Sequence, residues 1–87
     1  MTTEVSDETR PQVLNRLRRA RGQLDAVIAA VDEGADCRTV VTQLAAVSSA
    51  VNRAGFVIVS SGIKNCLASD NVDANLEEME KLFMMLS

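Results

Sequence analysis

Cys37 and Cys66 are the two thiols of an 87-residue chain that contains no histidine, and ahead of them Arg16, Arg18, Arg19 and Arg21 crowd one segment. Thiols can ligate a soft metal or exchange with other sulfur. Guanidinium groups can hold phosphate through paired hydrogen bonds. Proton transfer near neutral pH is poorly served without an imidazole, and there is no Cys-X-X-Cys arrangement of the kind used for thiol–disulfide turnover. The residues therefore point to a small regulator of nucleic acid and not to an enzyme, and no cofactor is expected.

The formal net charge of −3 hides a division along the chain. From Thr9 to Leu24 there are arginines and no acids, whereas Asp70, Asp73, Glu77, Glu78 and Glu80 gather near the end beside Lys81. One positive face follows, and its grip on phosphate should weaken with salt through counterion release. No aromatic residue interleaves with the arginines, so double-stranded DNA is a better match than stacked single-stranded bases. Gln23 and Asn15 are possible base contacts, though each is equally an ordinary surface amide. The cysteines have a plain alternative as well, since free cysteine is often just a small buried side chain.

These groups need elements to position them. Val13, Leu14, Leu17, Ala20, Leu24, Val27, Ile28 and Val31 recur at helical spacing, with Pro11 tolerated in the first turn and Gly34 placed to stop the helix near Glu33. Asp36 can cap a second helix by accepting from an early amide, and that helix runs from Cys37 to about Cys66. Gly55 and Gly62 interrupt it, at about 1 kcal/mol each unless close packing requires them. After a turn over residues 68–72, Asp73 can cap a short third helix carrying Leu76, Met79, Leu82, Phe83 and Leu86.

The expectation is one all-α domain over residues 1–87, with residues 1–8 flexible. Two long antiparallel helices cannot enclose much core alone, so two copies should form a four-helix bundle. The composition, 47% hydrophobic but 2% aromatic, suits helices packed closely over long contacts. No apolar run looks long enough to cross a bilayer and the acidic start does not resemble a signal peptide, so a cytoplasmic protein without a membrane partner is expected. Within one chain the cysteines lie at opposite ends of the second helix and cannot meet. Antiparallel pairing of two second helices would set Cys37 of one chain near Cys66 of the other, able to bind Cu(I) or to be joined by oxidants and reactive sulfur species. Zinc, which favours four protein ligands, is a poorer match.

The chain resembles the CsoR-type family of bacterial repressors over nearly its whole length. The resemblance rests on Asn15-Arg-Leu-Arg-Arg-Ala-Arg-Gly-Gln, on Asp36-Cys37 followed by Thr42-Gln-Leu-Ala-Ala-Val, and on Asn52-Arg53-Ala54 ahead of Cys66. It implies a homodimer that assembles into a homotetramer and covers double-stranded operator DNA. Arg16 and Arg53 match DNA-binding positions, with Arg18, Arg19, Arg21 and Lys64 as further candidates. Cys37 and Cys66 match cysteines that meet across the dimer. Copper sensors of this family place a histidine one turn before the second cysteine, where this chain has Gly62. Two cysteines without that histidine resemble the persulfide-sensing branch, with Cys37 the attacking thiol and Cys66 the resolving one. Cu(I) bound by the same two thiolates remains the alternative, and Glu78 resembles an outer acid of the copper sensors. A structural helical oligomer without a DNA role is the third possibility.

Overall fold

The computed structural model describes residues 4–68 and 72–87, without the side chains of Cys66 and Val72. Three helices follow in order: α1 over Arg10–Asp32, α2 over Cys37–Leu67 and α3 over Val72–Met85. Both α1 and α3 pack on α2. The core is narrow: Val13, Ala20 and Val27 of α1 meet α2, which buries Val47, Ala54 and Val59, and Met79 joins them from α3. The seven-residue spacing of the α1 set is that of a helix presenting one thin stripe to a neighbour.

Thr9 precedes α1 without capping it through its side chain, and Pro11 sits in the first turn as expected. The Thr9 hydroxyl turns to α2, where its Oγ1 lies 2.7 Å from Ser61 Oγ and accepts from Ser6 Oγ at 2.9 Å. This hydroxyl cluster ties the polar start of the chain to the C-terminal half of α2. At the other end of α1, Gly34 has φ +82°. Its amide donates to the Val31 carbonyl, and the Ala35 amide reaches back to Ala30. Those two bonds form a Schellman motif, which requires a left-handed residue where Gly34 stands.

Several expectations shift in detail. The Asp36 carbonyl accepts the Val40 amide and so opens α2, but the Asp36 carboxylate is engaged by the Thr39 hydroxyl in place of an early amide. α3 begins at Val72, which puts Asp73 inside its first turn and not at its cap. The turn expected over 68–72 falls largely on residues 69–71, outside the described residues. α2 stays helical through both glycines, and close packing explains them: a β-carbon on Gly55 would lie 2.9 Å from the Leu86 methyls, and one on Gly62 would lie 2.5 Å from Met79 Sδ. Phe56 and Phe83, with ring centroids 5.5 Å apart, complete the α2–α3 seam.

The sequence reading also understated the length of apolar chain in α2. The most apolar 18 residues within Cys37–Asn65 have a mean hydropathy of 1.3, so this helix is long and apolar enough to cross a membrane by length and composition alone. The same stretch carries Arg38, Arg53 and Lys64, and a cation at the centre of a spanning helix costs about 2.5–3.5 kcal/mol. A helix shared between protein surfaces accounts for this composition without that cost.

Candidate nucleic-acid interface and sensor thiols

The rotation of α1 about its axis sorts the arginines. With Val13, Ala20 and Val27 buried against α2, a step of about 100° per residue puts Arg16, Arg19 and Gln23 along one flank of that stripe. Arg18 and Arg21 fall on the far side of the helix. The near flank faces Ala46, Ser49, Ala50 and Arg53 of α2 across a cleft of about 330 Å³. The small side chains at 46, 49 and 50 leave the cleft open, and no acid lines it. Among the described residues the one ion pair is Arg10 with Asp7, at 2.8 Å. Arg16, Arg19 and Arg53 thus converge around a space with no carboxylate to neutralise them.

Lys64 belongs to a different place. It lines a cleft with Ser60, Ser61, Thr9 and the acids Asp7 and Glu8, about 16 Å along α2 from Arg53 by the rise of the helix. The six basic candidates therefore divide into a converging trio, two arginines on the opposite side of α1 and one lysine near the end of α2. Ser49 is a cleft residue that sequence reasoning missed; its place one turn before Arg53 was the available signal.

Cys37 is exposed at the first position of α2. Cys66 stands near the other end of the same helix, and its side chain lies outside the described residues. Twenty-nine steps of about 100° return to within about 20° of the starting direction, so both cysteines occupy one face of α2, separated by about 44 Å. Leu44, Val51 and Ile58 recur on that face at seven-residue intervals from Cys37, and all three are exposed. Arg53 is on roughly the opposite face. One helix carries the cysteines on one side and the arginine-lined cleft on the other.

Gly62 is buried one turn before Cys66. Where a side chain at this position would begin, the Met79 thioether already stands. Gly62 and Met79 also border an internal cavity of about 70 Å³. Glu78, the residue before Met79 in α3, is half-buried. Among the described residues no group of three or more acids, cysteines or histidines is gathered to hold a metal ion.

The profile of a family described as metal-sensitive transcriptional repressor matches residues 9–86. A copper-sensing transcriptional repressor, CsoR, of Mycobacterium ulcerans is 37% identical over 73 residues, covering 84% of this chain and 62% of the relative. CsoR of Mycobacterium tuberculosis H37Rv is 31% identical over 75 residues, covering 86% of this chain and likewise 62% of the relative. The chain therefore spans under two thirds of the length of these relatives. Among solved structures, the nickel-responsive transcriptional regulator InrS superposes over the full length of both chains with a TM-score of 0.78 at 24% identity, so the three-helix fold is shared.

Proposed function

The chain belongs to the family of metal-sensitive transcriptional repressors, and from that membership we propose that it is a DNA-binding repressor whose inducer acts where Cys37 of one chain meets Cys66 of another. The observation that carries the DNA reading is the acid-free cleft in which α1 and α2 bring Arg16, Arg19 and Arg53 together. Three guanidinium groups repel one another in the free protein, and a phosphate between them relieves that repulsion while accepting paired hydrogen bonds. Contacts of this kind fix position on the duplex, and groove shape supplies selectivity.

The exposed apolar stripe of α2 supports the assembly. Antiparallel docking of two such stripes covers Leu44, Val51 and Ile58, and at its two ends it juxtaposes each Cys37 with the partner's Cys66. Two of these dimers then make the tetramer. Because Arg53 stands on the reverse face of the same helix, a bond or metal bridge that draws the two α2 helices together re-aims the phosphate cleft. A tenfold loss of affinity requires about 1.4 kcal/mol of difference between the two arrangements.

Cu(I) is the inducer that the copper-sensing relatives support. Its softness suits thiolate and thioether donors, and the donors at this end of α2 are of that kind. Modification by persulfide or polysulfide is the second reading, supported by Gly62, which offers no side-chain ligand beside Cys66. In that chemistry one thiolate attacks the sulfane sulfur of a persulfide or polysulfide, breaking its S–S bond and expelling the donor's thiolate or shortened polysulfide to leave a protein persulfide. The second thiolate attacks the inner sulfur of that persulfide, closing a disulfide and releasing hydrosulfide.

The DNA reading is tested with Arg53→Ala and Arg16→Ala on a duplex selected from a random pool. Each variant should bind more weakly, with a shallower dependence on salt and an unchanged oligomer. Equal affinity of both variants and the parent would sink it. Titrating the DNA complex with Cu(I), and separately with an inorganic polysulfide, identifies which inducer releases the duplex.

A further inference from the structure

We propose that the Met79 thioether is a third sulfur donor to the ion bound by Cys66 and the partner chain's cysteine, so that the site holds its metal with sulfur alone. This rests on the Cu(I) reading. The argument begins from Gly62: it is buried, and a β-carbon built there would stand 2.5 Å from Met79 Sδ. The sulfur therefore occupies the direction in which a side chain at 62 would leave the helix. Cys66 follows four residues later, on the same face and about 6 Å along the axis. The Met79 thioether, supplied by α3, thus stands about one turn of α2 before the Cys66 position.

The surroundings suit a small soft ion. Met79 is 5% exposed, whereas Met84 and Met85 are largely exposed on the same helix. The adjoining cavity of about 70 Å³ is lined by Gly62 and Met79 together with Ile58, Leu82, Val5 and the polar Glu4, Ser61 and Asn65. Such a space admits an ion without displacing the core. A thioether is uncharged and polarisable, so it adds little attraction for hard or borderline divalent ions and more for Cu(I). Two thiolates and a thioether give a three-coordinate site, with the thiolates supplying the charge.

Met79→Leu keeps the volume and removes the sulfur, which makes it the informative variant. Anaerobic Cu(I) competition against a chromophoric Cu(I) chelator should show at least a tenfold loss of affinity in Met79→Leu. X-ray absorption of Cu(I)-loaded, selenomethionine-labelled protein should contain a copper–selenium path in the parent that the variant lacks. Equal affinities and no copper–selenium path would overturn the proposal and leave a two-thiolate Cu(I) site standing. Failure of the parent to take up any Cu(I) would overturn the Cu(I) reading itself, and Met79 would then serve packing alone. Should Met79→Leu not fold, a copper–selenium path that persists in a Met1→Leu, Met84→Leu, Met85→Leu variant supports the proposal, and its absence there overturns it.

Discussion

At position 62 an absent side chain decides what the seam between α2 and α3 can hold. Gly62→His cannot simply add a nitrogen ligand, because its first carbon would run into the Met79 thioether. Methionine is flexible enough to swing aside, so the expected loss is about 1–2 kcal/mol, within the range for overpacked cores. Urea denaturation of Gly62→His should show it, and the double variant with Met79→Ala should recover most of the midpoint. Thr9→Val is a second test at this scale: removing the hydroxyl 2.7 Å from Ser61 should cost about 1 kcal/mol. Ser61→Ala added to Thr9→Val should then cost little more, because the two share one bond. Cys37, Cys66 and the glycine were legible as residues. Met79 was not, since its role depends on how α3 docks, and as sequence it is one apolar position among several in an amphipathic helix.

The helices themselves were largely legible, because their ends are written in local chemistry. Gly34 stops α1 through a left-handed backbone and two bonds to the last carbonyls. Gly34→Ala should therefore destabilise the protein by about 1–2 kcal/mol, the cost of forcing a β-carbon into that conformation, read as a lower urea midpoint with unchanged slope. Asp36 was legible as the start of α2 but not in its bonding, because the Thr39 hydroxyl competes with backbone amides for its carboxylate. The run Phe56-Val57-Ile58-Val59 has strand propensity and yet stays helical; packing against α3, through Phe83, overrides the local preference. Which arginines share a cleft was hidden for the same physical reason. The answer turns on the rotation of α1 against α2, set by three small apolar residues and not by the arginines.

As a whole the protomer is a slab of 55 × 24 × 15 Å with a radius of gyration of 16.5 Å, against about 12 Å for a compact domain of this length. It exposes 6477 Å², where a compact monomer of its mass exposes about 5,000 Å². The excess is apolar in large part, with Leu24 and Ile28 of α1 and Val41, Leu44 and Val51 of α2 open to solvent. Leu44→Glu with Val51→Glu should dissociate the assembly in sedimentation velocity and abolish duplex binding, while Arg53→Ala leaves the assembly intact. The small, apolar composition led to the expectation of a partner; the face proposed to meet it follows from the helix rotations, which composition does not give. The reach of α2 has a corollary for mixed dimers. If each proposed sensing site is drawn from opposite ends of two chains, a subunit carrying Cys37→Ser and one carrying Cys66→Ser should each still bind DNA but hold no complete site alone. Co-expressed, they form mixed pairs in which the two lesions fall at the same end, leaving one intact site at the other. Mixed dimers isolated after co-expression should therefore take up inducer at one site, where neither homodimer takes up any.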